Sequence, residues 1–546
     1  MTWTPPENYR ERPNLEVYLR NARTPRVGTA EFKMVALLVH DKSLADIGLT
    51  QRQARKAIDD RVVPERHYRD VLAVALGQTH SPHGGGAPIV TEDFRFLVED
   101  LAPWTPGGAS DEENLAAIAQ IAETTFEAAD PLDDTAFDNP DVPAGYTYLG
   151  QFIDHDITLD PRALGTASNN GGPASSMRTV VLELDSVYGE KPGKGPFYEP
   201  GSGGRFKIGT GFGDGEADLP RQVEDPASKQ FNPSVIQQNP AVIEDARNDE
   251  NLLVAQVHLS FLKFHNAKMD QGLSFDDARR STILHYQTTV LHDFLKRVCG
   301  AELVDDLVSD PSRRVFGFPQ GNKIFMPVEF SMAAYRFGHS MVRPDYELND
   351  VLTDRAGPID IFAVGNMPLS GLRGGRRLPP LWTLQMDRFF DFGAATPPQM
   401  SRRIDTKLAP PLVHLPIPEL EIRNRSLPFR NLRRGWQNGL PSGQTLARYM
   451  RLPVLNPGSN TPLWLYILNE AKVKHEGRHL GPLGAHLVAE TIIGLLSAGR
   501  ISVLNDDSHG IPTSYSFADF VRDAGMPVSA DNLPFTGQPP GTPRAA

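Results

Sequence analysis

Residues 148–160 read YLGQFIDHDITLD, and this stretch decides how the rest of the chain is interpreted. Asp154, His155 and Asp156 stand side by side, and Gln151 precedes the histidine by about one helical turn. An isolated Asp-His-Asp triplet is usually a solvated turn or the start of a helix. Here, however, the apolar neighbours indicate a buried helix face: Phe152, Ile153 and Ile157. Buried charges need partners, so the stretch predicts a metal, a cofactor or a salt-bridge network beside it.

The composition sets limits on the class of protein. The chain has 546 residues and a formal net charge of -12, so it lacks the basic signature of a nucleic-acid binder. Its one cysteine, Cys299, excludes an intramolecular disulfide and a cysteine-based zinc or iron–sulfur site. No run approaches the roughly 18 apolar residues of a membrane span. The N-terminus lacks the apolar core of a secretory signal, so we expect a cytoplasmic protein.

Apolar residues recur at helical spacing in the second half of the chain. The pattern predicts helices over 253–264, over 283–298 with Gly300 as a stop, and over about 482–498. Ser331 is predicted to cap a helix that runs through Val342. Strand-like alternation is scarce, so we predict a mainly α protein, a large helical domain with little β-structure.

Three regions are predicted along the chain. Residues 1–140 are predicted to form an N-terminal helical extension or subdomain, with helices around 31–75 and 91–128, and residues 141–505 to form the catalytic domain. Residues 506–546 are expected to be a tail, because its end is rich in proline and glycine.

The G-Q-x-x-D-H-D pattern in residues 150–156 resembles the distal segment of the animal-type haem peroxidases, in the peroxidase–cyclooxygenase superfamily. The resemblance implies that His155 is the distal base that moves a proton between the two oxygens of peroxide, and that Gln151 lines the distal pocket. It makes Asp154 a candidate for an ester bond to a haem methyl group. It also makes Asp156 a calcium ligand.

The run RTVVLELDSVYG, residues 178–189, resembles the calcium loop of the same family. Aligned on its V-Y-G end, the run places four residues at ligand positions: Thr179, Val181 through its carbonyl, Glu183 and Asp185. The family usually has Asp and Ser at the last two positions, so this chain departs from the pattern. The oxygen ligands still suit calcium. The alternative is a half-buried strand with alternating acids.

The segment EDARNDENLL, residues 244–253, resembles the R-x-x-E element of the family. The resemblance implies that Arg247 is the distal arginine and that Glu250 is the second candidate for a haem ester. Taken alone, R-x-x-E is a common salt-bridge spacing on a helix. Asn251 stands where some members have a methionine linked to haem, so that third link is not expected.

Two further segments resemble the proximal side of the haem site. FSMAAYRFGHSMVRP, residues 330–344, implies that His339 is the iron ligand and that Arg336 lies near a haem propionate. RNLRRGWQNGLPSG, residues 430–443, implies that Asn431 accepts the N–H of His339 and that Arg434 faces a propionate. The WQN within it departs from the usual R-D-H.

Five segments in the family's order, between about 140 and 500, predict a haem peroxidase. The resemblance implies a haem b derivative, with possible ester links, and Ca²⁺. The expected reaction reduces hydrogen peroxide through a high-valent oxo-iron intermediate. Halides, thiocyanate or small organic donors would be oxidised, in keeping with a role in the response to oxidative stress.

Two rival functions belong to the same fold. Haem-dependent fatty-acid dioxygenases carry a radical-forming tyrosine three residues before the proximal histidine, where this chain has Arg336. Tyr335 is one residue too early, which turns it about 100° away on a helix. A non-enzymatic haem-binding or adhesion-type protein is the second rival, and the complete set of candidate residues argues against it.

Overall fold

The computed structural model describes most of the chain from residue 89 onward. The described ranges are 89–128, 135–158, 179–189, 192–212, 216–222, 239–319, 323–362, 371–393, 397–416, 421–506 and 508–529. The expected helix around 31–75 lies outside these residues. Clustering of contacts divides the chain after Ile89, and only the second unit, Val90–Ala546, is described below.

The described residues are mainly α-helical, which confirms the predicted class. The helices are α1 Asp111–Thr125, α2 Gly145–Ile157, α3 Asp185–Tyr188, α4 Leu252–Asp270, α5 Phe275–Thr289, α6 Leu295–Cys299, α7 Ala301–Ser309, α8 Val328–Met332, α9 Asp350–Ala356, α10 Pro410–Val413, α11 Leu427–Gln437, α12 Gly443–Tyr449, α13 Leu463–His475, α14 Pro482–Ala498 and α15 Phe517–Asp523. A π-helical turn, Val290–Phe294, joins α5 to α6. The 3₁₀ segments are Thr135–Phe137, Ala246–Asp249, Pro311–Arg313, Ala334–Met341, Met386–Arg388 and Ile422–Arg425.

The short strands of the described residues form two-stranded sheets. They are β1 Ile89–Arg95, β2 Glu127–Ala128, β3 Asp138–Pro143, β4 Gly209–Thr210, β5 Ala217–Asp218, β6 Lys323–Pro327, β7 Asp345–Tyr346, β8 Ile359–Asp360, β9 Met400–Arg402 and β10 Lys407–Leu408. The sheets pair β1 with β6, β2 with β10 in parallel, and β3–β9, β4–β5 and β7–β8 antiparallel.

Helix α4 lies at the centre of the core. Its Phe261 ring stacks on Phe152 of α2 at a centroid distance of 4.3 Å. One turn later, Phe264 stacks on Phe520 of α15 at 4.2 Å. Asn251 caps α4 by accepting a hydrogen bond from Val254 N, so the helix begins directly after the R-x-x-E element. Helix α2 packs against α4, and the R-x-x-E element leads directly into α4. The buried helix α4 therefore supports the site residues of both.

Two predicted helices differ from the sequence-based expectation. The region 91–128 is not helical throughout, because β1 occupies residues 89–95 and α1 begins only at Asp111, capped by Ser110. The helix expected from Ser331 through Val342 is two pieces, α8 and the 3₁₀ segment Ala334–Met341. Ala333 breaks it with φ -138° and ψ -65°, so Ser331 lies inside α8 and caps nothing.

The predicted C-terminal tail, residues 506–546, includes residues that pack in the helical body. Helix α15 packs into the core through Phe517 and Phe520, and Asp293 Oδ2 accepts a hydrogen bond from Phe517 N at 2.8 Å. Residues 508–529 therefore belong to the helical body, since their aromatic side chains fill it. The same holds for 90–140, which cluster with the second unit and not with an extension.

Among the described residues, no helix is both long and apolar enough to cross a membrane.

Candidate active site

His155 lies in the last turn of α2 and is 5% exposed. Its Nδ1 is 2.9 Å from Oδ1 of Asn248, and the Asn248 amide nitrogen lies 3.0 Å from Nδ1 of His258. Asn248 and His258 are fully buried. With the Asn248 oxygen facing the ring, a neutral His155 donates from Nδ1 and leaves Nε2 as its acceptor. The ring is thus prepared to act as a base through Nε2.

The sequence did not single out Asn248 or His258. Asn248 directly follows Arg247 within the R-x-x-E element, and that adjacency was the available signal. His258 lies in the second turn of α4, and its contact with Asn248 depends on how α4 packs.

Two other predicted residues, Gln151 and Glu250, lie on the Nε2 side of His155. Glu250 Oε1 lies 4.0 Å from His155 Nε2 and accepts a hydrogen bond from the amide of Gln151. Asn251 donates to Gln151 Oε1 at 3.2 Å. The Glu250 side chain is 52% exposed, so this side of the histidine opens toward solvent.

Arg247 holds the end of α2. Its Nη2 donates to the backbone oxygens of His155 and Thr158 at 2.9 and 2.7 Å. The same guanidinium forms a salt bridge to Asp245 at 2.7 Å. These contacts place a cation at the carbonyl end of the helix, where it is favourable, and they fix the backbone of the distal histidine. A direct role of Arg247 toward peroxide stays a prediction.

Asp154 lies one residue before the distal histidine and is partly buried. Its Oδ1 accepts a hydrogen bond from Thr158 Oγ1 at 3.1 Å. The charge of Asp154 adds to burial in raising the pKa of Tyr335, which places the carboxylate near that phenol. Its ester bond to haem stays a prediction.

Residues 179–189, the predicted calcium loop, do not form a strand. Residues 180–183 run as bends, and α3 follows them. Asp156 is buried and accepts hydrogen bonds from Leu184 N at 3.2 Å and from Ser186 Oγ at 3.0 Å. Burial, together with the nearby charge of Asp185, raises the Asp156 pKa to about 7.

The five predicted calcium ligands are brought together only in part. Asp185 accepts hydrogen bonds from the backbone N–H and the hydroxyl of Thr179. Because the charge of Asp185 acts on Asp156, this pair lies near Asp156. Glu183 instead accepts from the backbone amides of Arg500 and Ile501. Within the described ranges, no three His, Cys, Asp or Glu side chains are gathered to hold a metal ion. The side chains as placed do not form the predicted ligand set, and a calcium ion stays a prediction.

His339 lies in the 3₁₀ segment Ala334–Met341, which packs against α2. Burial, together with the guanidinium groups of Arg336, Arg430 and Arg434, lowers its pKa to about 3. The imidazole is therefore neutral near pH 7, as a metal-binding histidine must be. A Cβ added at Gly338 would meet no atom within 4 Å, so space is open beside the histidine.

Asn431 of α11 lies against His339. Its Nδ2 is 2.9 Å from His339 Nδ1, so in this orientation the amide donates, whereas the sequence predicted that it accepts. Rotating the amide by 180° exchanges its oxygen and nitrogen at nearly the same positions. The two side chains are thus in contact, and which of them donates depends on whether Nδ1 of His339 carries the proton.

Tyr335, four residues before His339, packs among aromatic rings. Its ring stacks on Phe330 at 4.7 Å and meets Phe337 edge-on at 5.8 Å. The residue three before His339 is Arg336, whose carbonyl accepts a hydrogen bond from Trp464 Nε1 at 3.2 Å.

The family model for animal haem peroxidases matches residues 166–454, more than half of the chain. The chain belongs to the animal haem peroxidase family. It is 29% identical over 170 residues to a chorion peroxidase of Aedes aegypti, covering 27% of this chain and 21% of that protein. It is 24% identical over 303 residues to a peroxidase-like protein of Margaritifera margaritifera, covering 44% of this chain and 35% of that one. The chain thus matches about a fifth to a third of the length of these relatives.

Solved structures with a similar fold include two enzymes. Peroxidase A from Dictyostelium discoideum has a TM-score of 0.49 at 14% identity and covers 81% of this chain and 93% of its own. A fatty acid alpha-dioxygenase from Arabidopsis thaliana has a TM-score of 0.48 at 12% identity and covers 83% and 82%.

Membership of this animal haem peroxidase family implies a haem cofactor, and the described residues fit it. A neutral histidine stands beside open space at Gly338, and an amide contacts its other nitrogen. Three guanidinium groups near that histidine are suited to the two propionates: Arg336, Arg430 and Arg434. Nε2 of His155 lies beside Glu250, which is hydrogen-bonded to Gln151.

Proposed function

We propose that this protein is a haem-dependent peroxidase that reduces hydrogen peroxide and oxidises small anionic or aromatic donors. The observation that carries the proposal is the hydrogen bond from His155 Nδ1 to Asn248, at 2.9 Å. In this orientation of the amide, the bond leaves Nε2 of a buried histidine as the acceptor on the side of Gln151 and Glu250.

The chain's own residues supply the proton movements. His155 Nε2 takes a proton from one oxygen of peroxide and returns it to the other, which leaves as water. Gln151 and Glu250, joined by a hydrogen bond, border the place where the peroxide would lie. Bound haem supplies the two electrons that break the O–O bond, and the donors then replace them.

The proximal residues hold the cofactor. His339 would bind the iron through Nε2, while Asn431 contacts Nδ1 and orients the ring. Arg336, Arg430 and Arg434 would hold the propionates. Asp154 and Glu250 would form ester bonds to the haem. If acid–acetone removes all haem from enzyme that has already turned over peroxide, the ester bonds are absent.

Calcium near Asp156 would keep the distal histidine in place, since Asp156 is the next residue. Chelation of a calcium-loaded sample would then lower activity and alter the haem spectrum. Unchanged activity in protein shown to be free of calcium would reject this site.

The deciding experiment uses the full chain expressed with adequate haem. We expect a Soret band and peroxide-dependent oxidation of guaiacol and iodide. Comparison of chloride, bromide, iodide and thiocyanate would then define the donors. Absence of a Soret band would reject the proposal, and oxygen-dependent oxidation of linoleate without peroxide would replace it with the dioxygenase function.

A further inference from the structure

The loop at residues 372–375 is laid directly along the R-x-x-E element. Its backbone pairs with residues 249–252, and Gly374 N donates to the carbonyl of Glu250 at 3.0 Å. A Cβ added at Gly374 would lie 1.8 Å from the carbonyl oxygen of Asp249, so the two backbones are in direct contact. Side chains of this loop therefore border the distal side.

Arg373 is the loop residue nearest to the candidate site. It is the antiparallel partner of Asn251, so the two side chains point to the same face with Cβ atoms about 5 Å apart. Asn251 donates to Gln151 at 3.2 Å, and Gln151 donates in turn to Glu250, which lies 4.0 Å from His155 Nε2. Arg373 thus lies at the rim of the site where peroxide would react.

Three arginines of this loop have no carboxylate partner among the described residues: Arg373, Arg376 and Arg377. Arg373 is exposed. Arg376 is 5% exposed, donates to the carbonyl of Gly371 at 2.6 Å and lies 5.3 Å from the ring of Trp382. Burial, with the charges of Arg373 and Arg221, lowers the Arg376 pKa to about 10. Arg373 and Arg376 are thus two neighbouring cations that form no salt bridge within the described residues.

Neighbouring arginines are neutralised or tied down. Arg221 forms salt bridges to Asp218 at 2.9 Å and to Asp249 at 2.7 Å. Arg377 donates to the carbonyl oxygen of Thr210 at 2.7 Å. Of the arginines of this loop, Arg373 is therefore the one that is both exposed and paired with the site segment, through Asn251.

We propose that Arg373, supported by Arg376, is an anion subsite that binds the carboxylate of an aromatic electron donor at the rim of the distal pocket. The proposal rests on the peroxidase function and specifies its donor. A planar guanidinium suits a carboxylate, because it can donate two parallel hydrogen bonds. The donor's phenol would then reach toward the haem while its carboxylate stays at the rim.

The test compares two donors that differ only in charge: 3-(4-hydroxyphenyl)propanoate and its amide. With the haem-loaded full chain, KM is measured with peroxide, and Kd is measured without peroxide from the change in the Soret band. In Arg373→Gln, KM and Kd for the propanoate should rise about five- to tenfold, the usual worth of one charge-assisted hydrogen bond. Values for the amide should stay within about twofold.

Two further variants separate charge from structure. Arg373→Lys should restore part of the preference for the propanoate, and Arg377→Gln, in the same loop, should behave as the wild type. Equal changes for both donors, no change in Arg373→Gln, or the same loss in Arg377→Gln would each overturn the subsite. If neither donor is oxidised, the peroxidase function fails, while the Soret titration still decides whether the anion binds.

Discussion

Nδ1 of His155 and Oδ1 of Asn248 lie 2.9 Å apart, and both side chains are buried. This contact joins α2 to the R-x-x-E element across 93 residues of sequence. It also determines which nitrogen of the histidine can accept a proton.

Replacing Asn248 by leucine should slow the reaction with peroxide. Leucine has a similar volume but no acceptor, so His155 loses the bond that keeps its proton on Nδ1. We expect the second-order rate constant for peroxide to fall about 10- to 100-fold, as is typical for impaired general base catalysis. Stopped-flow absorbance in the Soret region measures it.

Asn248→Asp is the matched control, because it keeps an oxygen at the same place and should retain most of the rate. Loss of rate in both variants, with haem content unchanged, would show that the shape of the side chain matters and that the acceptor does not.

Gly338→Ala should separate haem binding from folding. A Cβ at this position meets no atom of the protein within 4 Å, so the stability of the haem-free chain should change by less than about 0.5 kcal/mol. If the open space is where the haem lies, the added methyl group should weaken haem binding. Denaturant unfolding of the apoprotein and haem transfer to apomyoglobin measure the two effects. Normal haem retention would place the ring elsewhere.

Phe520→Ala should destabilise the helical body strongly. The ring stacks on Phe264 and lies 4.7 Å from Phe261, so its removal leaves a cavity in the core. The expected loss is about 3–5 kcal/mol. Ile422→Ala, at an 84% exposed position, should cost less than about 0.5 kcal/mol. Urea unfolding compares the two variants. A small loss of unfolding free energy in Phe520→Ala would show that residues 508–529 are not part of the core.

Two buried glutamates should make stability depend on pH. Burial raises the pKa of Glu329 and of Glu470 to about 7, from the ordinary 4.5. The folded chain therefore holds more protons than the unfolded chain between about pH 4.5 and 7, and the contribution of these groups is lost as pH rises through that window.

Glu329→Gln and Glu470→Gln should each reduce this loss, by about 1 to 3 kcal/mol between pH 4.5 and 7. Glutamine keeps an oxygen for the amides that each glutamate binds, such as Leu483 N at 2.9 Å from Glu470. Unfolding midpoints in urea across this pH range are the measurement. The exposed Glu302→Gln is the control, and identical pH profiles in all variants would refute the assignment.

The sequence by itself determined the helical class, the family and the order of the site segments. Helix α14 begins and ends where apolar spacing placed it, over 482–498, since a helix that packs into a core must be apolar. The segments around His155, Arg247 and His339 were found because each is short and continuous in the sequence.

Only the tertiary structure decided which atoms meet. Asn248 contacts His155 and is itself contacted by His258 of α4, and Arg373 reaches the rim through backbone pairing with a segment more than 100 residues earlier. Glu183 binds the amides after α14 and leaves the other proposed calcium ligands. Such contacts depend on the relative placement of distant elements, which the spacing of residues within one element does not encode.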